Sequence, residues 1–305
     1  MANGMLQGKV VAITGAGRGI GREIALLAAQ EGAQVVVNDL GGSIAGEGRD
    51  PTPAEEVVAE ITAAGGVAIG NGANIADFES ASTIVEDAIS HFGRIDAVVN
   101  NAGILRDRMF YNMSQAEWHD VINVHLNGYF HVSRAAADHF RKQGSGTYVH
   151  FTSSSGLIGN VGQSSYSAAK LGVVALSKSI ALDMAKFGVR SNCIAPFAWS
   201  RLAETIATST EADRVRQARF KAMSSAKIAP LAVLLCADAS DQVNGQIFCV
   251  RKNEVLLFSQ PRPIRSMQKS EGWTPQTLAE QLLPAFRPSF QALEISTDVF
   301  AWEPI

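Results

Sequence analysis

Short apolar segments alternate with longer amphipathic segments along most of this chain of 305 residues. The short segments are rich in Val and Ile, whereas the longer ones repeat apolar residues at helical spacing. Strands that are each followed by a helix build parallel sheets with helices on both faces. We therefore predict an α/β fold with a doubly wound parallel sheet. The predicted strands are 9–14, 34–39, 67–70, 96–100, 147–152, 189–194 and 246–250, and the predicted helices are 20–30, 53–64, 78–91, 114–141 and 164–186.

The alternation is lost after residue 253, where prolines accumulate. Thr274 followed by Pro275 is typical of the start of a helix, which we expect to run to about Phe286. We predict a single domain over residues 1–253, with residues 254–305 as a C-terminal extension that packs on it. The aromatic residues that argue against a disordered tail include Trp273, Phe300 and Trp302.

The balance of charges limits the partners that can be expected. Charged residues make up 18% of the chain and the formal net charge is -3, so nothing favours nucleic acid or an anionic membrane as a partner. No apolar run is long enough to cross a membrane, and the N-terminus does not resemble a signal peptide. The cysteines match no metal or redox spacing and are expected to be buried in a reducing compartment. We expect a cytoplasmic protein without a metal site, whose cysteines are Cys193, Cys236 and Cys249.

A glycine-rich turn, TGAGRGIG, lies between the first predicted strand and the first predicted helix. Glycines let the backbone turn sharply and approach a pyrophosphate, and the helix N-terminus offers free N–H groups to that anion. Any strand-to-helix turn can use glycine, but this one has the context of a Rossmann-like dinucleotide site. The residues that we assign to cofactor binding in this turn are Gly15, Arg18, Gly19, Ile20 and Gly21.

Asp39 stands at the end of the second predicted strand. A carboxylate in this place can accept hydrogen bonds from the adenosine ribose and would repel a 2′-phosphate, which favours NAD over NADP. A turn aspartate ahead of Gly41 is the alternative, and without the glycine-rich turn it would be preferred. Arg18 could help to hold a 2′-phosphate, so NADP remains open as the second choice.

Two further turns carry amide side chains and small residues. Asn74 follows the third predicted strand and could contact adenine through its amide. Asn101, Ala102 and Gly103 follow the fourth predicted strand, where small side chains would let the adenosine side of the cofactor come close. Both segments are also ordinary turn sequences, so each is a weak signal by itself.

Tyr166 and Lys170 are spaced so that they share one face of a predicted helix. Free tyrosine has a pKa of about 10 and is a poor base at neutral pH. A nearby ammonium favours the phenolate, so Tyr166 could accept a proton from an alcohol or donate one to a ketone. Lys170 could also hold the ribose of the nicotinamide half. Without other support, an exposed helix face would be the preferred explanation for this pair.

That support comes from Ser153, at the end of the strand predicted over residues 147–152. A hydroxyl at the C-terminal end of such a strand points into the crevice where ligands bind. Ser153 could hydrogen-bond the substrate oxygen and stabilise charge as a hydride moves. Ser154 and Ser155 are rivals on sequence alone, and we prefer Ser153 because of its spacing from Tyr166.

The motifs TGAGRGIG, NNAG, the serine and YSAAK occur in this order, and over residues 8–253 the chain resembles the short-chain dehydrogenase/reductase family. A closer resemblance, to the dehydrogenase part of the multifunctional enzyme type 2 family, is carried by VNDLGG, NNAGILRDR, VHL, GNVGQ, YSAAKL and the tail after Glu254. It implies an NAD-dependent (3R)-hydroxyacyl-CoA dehydrogenase of β-oxidation. Related members accept steroid alcohols or steroid side-chain CoA esters.

The resemblance also assigns residues that local patterns leave unassigned. His125 occupies the position where the wider family has an asparagine that helps to hold a water near the lysine; type 2 enzymes also have histidine there, and we expect a proton relay through a backbone carbonyl. Phe197 replaces the usual glycine and, with Trp199, is expected to shape the nicotinamide or substrate side. Asn74 replaces the usual acidic residue, with little loss expected. The remaining cofactor-binding residues implied by the resemblance are Ile75, Pro196 and Ser200.

The stretch 198–223 lies where such folds place a substrate lid. Its basic residues could contact CoA phosphates, although a solvated amphipathic helix explains them at least as well. The hydratase and lipid-carrier parts of the multifunctional enzymes are not in this sequence, so we expect a separate hydratase to supply the hydroxyacyl substrate. The resemblance further implies a homodimer or homotetramer. The basic residues of the stretch are Arg201, Arg214, Arg216, Arg219 and Lys221.

Three functions remain open at this stage. The first is oxidation of a (3R)-hydroxyacyl-CoA to the 3-oxoacyl-CoA with NAD, and the second is a dehydrogenase for a hydroxysteroid or another secondary alcohol. The third is a nucleotide-binding regulator without turnover, against which the complete set of Ser153, Tyr166 and Lys170 argues. The sequence does not separate the first two, because the shape of the pocket depends on the lid and the tail.

Overall fold

The computed structural model describes residues 4–43, 45–198, 210–211 and 223–305. The strands in these ranges are β1 (Val10–Thr14), β2 (Gln34–Asn38), β3 (Val67–Asn71), β4 (Ala97–Asn100), β5 (Gly146–Phe151), β6 (Val189–Phe197), β7 (Ile247–Arg251) and β8 (Glu254–Leu257). They form one sheet in the order β3-β2-β1-β4-β5-β6-β7-β8. All neighbours up to β7 are parallel, and β8 is antiparallel. The chain starts at β1 and builds outward in both directions, which confirms the doubly wound prediction.

Helices cover both faces of the sheet. In chain order they are α1 (Gly19–Gln30), α2 (Thr52–Ala63), α3 (Phe78–Phe92), α4 (Gln115–Ile122), α5 (Gly128–Gln143), α6 (Ser154–Leu157), α7 (Ser164–Met184) and α8 (Ala229–Cys236). α1, α2 and α8 pack on one face, whereas α3, α5 and α7 pack on the other. β1 contributes Val11 and Ile13 to the first layer and Val10 and Ala12 to the second. Because successive side chains of a strand point to opposite faces, burial on both faces requires an unbroken apolar run.

The helix predicted over residues 114–141 consists of three consecutive parts. α4 begins at a capping box formed by Ser114 and Glu117, which satisfies the free backbone N–H groups of its first turn. A π-helical turn, Asn123–Asn127, then joins α4 to α5 without a break in the chain direction. π-Helical turns inside helices are often found at functional sites, and His125 lies in the middle of this one.

β8 was not predicted. The expectation that the regular alternation of strands and helices is lost after residue 253 is wrong for residues 254–257. Glu254–Leu257 forms an antiparallel edge strand against β7. The two strands are joined by Lys252 and Asn253, and Lys252 adopts a left-handed backbone with φ of 57°. Such a conformation suits the short turns of β-hairpins. The strand is too short, and half of it too exposed, for periodicity to reveal it.

The chain beyond β8 forms short helices. A helical run begins at Thr274, which caps it as predicted, and comprises α9 (Pro275–Thr277), a π-helical turn (Leu278–Leu282) and α10 (Leu283–Phe286). The α-helical part ends at Phe286 as expected, and a 3-10 turn, Arg287–Ser289, continues the run. A short helix, α11 (Ser296–Val299), follows, and the buried Phe300 packs against Phe197 with ring centres 4.9 Å apart. The division of the chain after residue 253 remains a prediction.

Two kinds of feature are absent from the part of the chain that the structure describes. None of the helices in it combines the length and the hydropathy that crossing a bilayer requires. Nor do three or more His, Cys, Asp or Glu side chains in it come together as metal ligands would. The three cysteines are unpaired and buried.

Candidate active site

A cleft of about 940 Å³ opens where the strand order reverses, at the C-terminal ends of β1 and β4. Ligands of doubly wound sheets bind at this position. Most of the predicted site residues line the cleft; Gly21 and Ser153 do not line it directly, and Ser200 lies outside the described residues. The lining residues from the prediction are Gly15, Arg18, Gly19, Ile20, Asp39, Asn74, Ile75, Asn101, Ala102, Gly103, His125, Tyr166, Lys170 and Pro196.

The glycine-rich turn has the geometry that a close backbone approach requires. Gly15 has φ of 63°, and a Cβ there would lie 2.7 Å from Ala102 Cα. Gly21 packs α1 onto the turn, because its Cβ would lie 2.2 Å from Gly15 O. Gly19 has φ of 55°, and the space beside it is open. The turn therefore leaves room for a pyrophosphate at the N-terminus of α1.

The carboxylate of Asp39 lies beside this turn. One oxygen accepts a hydrogen bond from Gly17 N at 2.8 Å, and the other accepts one from Gly41 N at 2.7 Å. A Cβ on Gly17 would lie 2.8 Å from the Asp39 oxygen, so glycine is needed there as well. Each carboxylate oxygen has a second acceptor position. Asp39 is thus both a turn residue and a group that faces the cleft, and its two proposed roles are compatible.

Asn74 and Ile75 line the same end of the cleft. The Asn74 side-chain oxygen accepts a hydrogen bond from Ala76 N at 3.0 Å, which leaves its amide N–H groups available to a ligand. The Ile75 carbonyl accepts a hydrogen bond from His131 Nδ1 at 2.8 Å. Asn74 is therefore held by its own loop, and Ile75 is held by α5.

The small residues after β4 are explained by contacts within the protein. Asn101 Nδ2 donates to Thr14 O and Gly15 O, both at 3.0 Å, and thereby ties β4 to the glycine-rich turn. A Cβ on Gly103 would lie 2.3 Å from His125 Cε1. We predicted small residues because of the cofactor, but Gly103 is also required by the histidine that packs against it.

Tyr166 lies half-buried on α7, at the floor of the cleft. Burial raises the pKa of Tyr166 to about 12; the nearby Ser153 hydroxyl lowers this pKa, and the charge of Asp107 raises it. We expected the Lys170 ammonium to favour the phenolate, but Lys170 Nζ lies 5.7 Å from the centre of the Tyr166 ring and the cost of burial is larger. Without ligands, the phenol is therefore the stable form.

Lys170 is almost fully buried, with only 3% of its surface exposed. Its Nζ donates to the Phe151 carbonyl at 2.6 Å and to the Tyr129 hydroxyl at 3.1 Å. Burial lowers the pKa of Lys170 to about 7. Tyr129 was not identified from the sequence, although it stands one helical turn after His125 and so shares its face.

Ser153 caps the N-terminus of α6 and is joined to a hydrogen-bond network. Its Oγ accepts from Ser155 N at 3.1 Å and donates to Ser155 Oγ at 3.2 Å. Ser155 Oγ in turn donates to Gln163 Oε1 and accepts from Asn160 Nδ2, both at 2.8 Å. Of the three neighbouring serines, Ser153 is the one whose hydroxyl influences the pKa of Tyr166.

His125 packs edge-on against Tyr166, with ring centres 5.1 Å apart. Its Nε2 lies 2.7 Å from Ile104 O, and its Nδ1 is buried without a hydrogen-bond partner among the described residues. Burial, and next the charge of Lys170, hold the pKa of His125 well below 6.5. The ring is therefore neutral, and it is fixed to backbone beside the phenol.

Some predictions differ from the structure or lie outside it. Phe197 packs against Phe300 and does not line the cleft, because the extension covers that side of β6. Pro196, one residue earlier, does line the cleft. The remaining predictions concern residues outside the described part of the chain, namely Trp199, Ser200, Arg201, Arg214, Arg216, Arg219 and Lys221.

The chain is similar to known proteins in family profile, in sequence and in structure. The profile of the short chain dehydrogenase family matches residues 9–212. A short-chain type dehydrogenase/reductase of Mycobacterium tuberculosis is 44% identical over 256 residues, which are 83% of this chain and 86% of that protein. The crystal structure of a short chain dehydrogenase from Mycobacterium avium superposes with a TM-score of 0.83 at 37% identity, and covers 96% of this chain and 99% of that one.

Two relatives bear on the substrate. A hydroxyacyl-CoA dehydrogenase of Mycobacterium tuberculosis is 37% identical over 294 residues, covering 92% of this chain and 89% of that protein. The peroxisomal multifunctional enzyme type 2 of Mus musculus is 44% identical over 241 residues, which are 79% of this chain. The matched part is only 31% of the multifunctional enzyme, so the chain spans about a third of that relative.

Proposed function

The chain belongs to the short-chain dehydrogenase family, and on that premise we propose that it uses NAD to oxidise a (3R)-hydroxyacyl-CoA to the 3-oxoacyl-CoA. Members of this family are oxidoreductases that use nicotinamide dinucleotides. The observation that carries the proposal is that Tyr166 and Lys170 line a cleft that also contains the glycine-rich turn, with the Ser153 hydroxyl near Tyr166.

The choice of NAD rests on Asp39. The described lining has the features that a dinucleotide needs: open backbone at Gly19, a helix N-terminus, and a carboxylate with free acceptor positions. A 2′-phosphate would meet the Asp39 charge, and two backbone N–H groups already hold that carboxylate in place. Arg18, which also lines the cleft, favours NADP.

The proposed chemistry assigns one proton to the protein. The nicotinamide, when bound, supplies the acceptor for the hydride that leaves the alcohol carbon. Tyr166 takes the hydroxyl proton as a phenolate, after its own proton has passed to solvent, and Ser153 donates a hydrogen bond to the substrate oxygen. In the reverse direction Tyr166 returns the proton to the ketone oxygen. Lys170 holds the ribose, and its ammonium makes a phenolate at Tyr166 less costly.

The substrate assignment is supported by the relatives named for hydroxyacyl-CoA chemistry. The multifunctional enzymes are much longer than this chain, so their full activities are not carried over. We further propose a homo-oligomer, in keeping with the family, and a cytoplasmic location, which the unpaired cysteines support. Exposed apolar side chains on α5 and α7 suit helix pairing between copies; they are Phe130, Leu171 and Leu182.

The test is NADH formation from NAD with (3R)- and (3S)-hydroxyacyl-CoA thioesters of several chain lengths. NADP and a hydroxysteroid are assayed alongside. We expect turnover with the 3R thioesters and NAD. Turnover of the steroid alone would support the dehydrogenase chemistry and contradict the assignment of a hydroxyacyl-CoA substrate.

The catalytic assignment is tested with Tyr166→Phe. Loss of the phenolic proton carrier should lower kcat by about 100-fold or more while NAD binding survives. Turnover near that of the natural chain would show that the proton acceptor is another group. Size-exclusion chromatography with light scattering measures the oligomeric state of both proteins.

A further inference from the structure

The buried amino group of Lys170 has no counter-charge among the described residues. No carboxylate in that part of the chain lies within ion-pair distance of Nζ, although only 3% of the residue is exposed. A buried ammonium without a partner is costly, and neutral dipoles or an aromatic face must then offset that cost. The question is which groups do so here.

Tyr129 of α5 supplies both kinds of group. Its hydroxyl lies 3.1 Å from Lys170 Nζ, and the centre of its ring lies 4.7 Å from the same nitrogen. The tyrosine is itself fully buried. The other partner is the Phe151 carbonyl, which can only accept. Of the two partners, only the hydroxyl can either accept or donate.

We propose that Tyr129 is a positioning residue for Lys170, which holds the amino group in place in both its protonated and its neutral form. Towards an ammonium the Tyr129 oxygen accepts; towards a neutral amine its O–H donates. Phe151 O accepts one N–H in either state. The ammonium therefore keeps its third N–H for the cleft that Lys170 lines, where we have proposed that the ribose binds. The catalytic meaning of this contact rests on the proposed function, but the contact itself does not.

The groups that face Lys170 from the surrounding elements are uncharged at neutral pH. His125 in the π-helical turn and His150 on β5 are buried, and burial together with the Lys170 charge lowers the pKa of each. Burial raises the pKa of Cys193 on β6 and of Tyr166 on α7, both to about 12. Burial also raises the pKa of Tyr129 well above its usual value. None of these groups supplies a counter-charge, so the dipole of the Tyr129 hydroxyl is not backed by a nearby negative charge.

A matched control is available in the same core layer. Tyr148 on β5 is also buried, and its hydroxyl donates to Ser133 O at 2.8 Å. Both tyrosines stack on His150, with ring centres 6.2 Å away for Tyr129 and 5.9 Å for Tyr148. The substitutions Tyr129→Phe and Tyr148→Phe thus remove the same atom from equivalent surroundings, but only the first touches Lys170.

The experiment titrates the lysines by NMR with 13C at Cε, in the absence of cofactor and substrate. The Lys170 signal is identified by its loss in Lys170→Met. In Tyr129→Phe we expect the pKa of Lys170 to fall by about one unit, because a hydrogen bond to the charged form is lost. In Tyr148→Phe the midpoint should equal that of the natural chain. Unchanged titration in Tyr129→Phe, or equal shifts in both variants, would overturn the proposal.

Two additions keep the result decisive. Each variant must first show cooperative thermal unfolding. If Tyr129→Phe fails to fold, Tyr129→Leu replaces it. This variant removes the ring together with the hydroxyl, and we expect it to lower the pKa of Lys170 further. Turnover is measured separately. If the pKa of Lys170 shifts in Tyr129→Phe but the natural chain oxidises no secondary alcohol, the role of Tyr129 is supported and the proposed function is refuted. If the natural chain turns over substrate but the pKa of Lys170 does not shift, the proposed function is supported and the role of Tyr129 is refuted.

Discussion

At the scale of single residues, one carboxylate sets the direction of a chain of hydrogen bonds behind the proposed catalytic serine. Asp107 can only accept, so Gln163 Nε2 must donate to it, at 2.8 Å. The Gln163 oxygen then faces Ser155 and forces that hydroxyl to donate. Ser155 consequently accepts from Ser153 and from Asn160. Asp107 therefore determines how the Ser153 hydroxyl points before a substrate arrives.

Ser155→Ala tests this network. The variant removes the acceptor that holds the Ser153 proton, so the hydroxyl no longer has to give up this hydrogen bond before it donates to the substrate oxygen. We expect kcat to rise by up to about 10-fold, corresponding to one hydrogen bond, with KM for NAD unchanged. Ser154→Ala is the control, since Ser154 is the adjacent buried serine of the same short helix. Steady-state kinetics on both variants supply the comparison. Equal changes in kcat in the two variants would assign the effect to α6 as a whole.

Gly103 is a second position where one atom matters. In Gly103→Ala the new Cβ would lie 2.3 Å from His125 Cε1, and the ring would have to move. We expect a loss of about 1–3 kcal/mol in the free energy of unfolding. In the control, Gly72→Ala, the nearest atom would be Arg49 Nη2 at 3.4 Å, an ordinary contact. Urea unfolding of both variants gives the measurement, and similar midpoints would contradict the close packing.

Among the secondary-structure elements, the β7–β8 hairpin packs against the last residues of the extension. The buried Arg251 guanidinium lies beside two neighbouring aromatic rings, 5.8 Å from the centre of Phe300 and 5.2 Å from that of Trp302. Asn253 N in the turn donates to Ile305 O at 2.8 Å. Farther back, Ser296 N donates to Gly159 O at 3.1 Å. The extension therefore connects the edge of the sheet to the loop before α7.

Phe300→Ala measures what this contact contributes to stability. Phe300 is 8% exposed and packs on Phe197 and Phe258. We expect its removal to lower the free energy of unfolding by about 3 kcal/mol, since it leaves a cavity. Phe290→Ala, at a position that is 61% exposed, should cost less than about 0.5 kcal/mol. If urea midpoints for the two variants coincide, the extension contributes no packing energy through Phe300.

At the scale of the whole molecule, the polar groups beneath the cleft bear on how stability depends on pH. His125 and His150 are buried, and burial lowers the pKa of His150 from 6.5 to about 3. The unfolded chain binds these protons near pH 6.5, whereas the native protein excludes them. Stability that depends on a neutral buried histidine is therefore present above pH 6.5 and is lost as the pH falls. The pKa of Lys170 is lowered to about 7, so this lysine is mostly protonated below pH 6.5 in both the native and the unfolded state.

We predict that the free energy of unfolding decreases between pH 6.5 and 5. Each buried neutral histidine contributes a slope of up to about 1.4 kcal/mol per pH unit there, and carboxylates titrate below this window. Urea unfolding at several pH values measures the slope. His150→Gln should reduce it to about half. A free energy of unfolding that stays constant over this window would show that the native protein admits these protons.

The amino-acid sequence predicts the alternation of strands and helices, the glycine-rich turn, and the shared helix face of Tyr166 and Lys170 on α7. These features follow from local periodicity and from spacing within one element, which a linear sequence records directly. It does not predict what surrounds them: Tyr129 at Lys170, Asp107 behind Ser153, and the edge strand β8. Such contacts join residues from different elements, and their distances depend on how the strands are ordered in the sheet. The balance between burial and charge at Tyr166 likewise requires a fold, because desolvation exists only where the other elements exclude water.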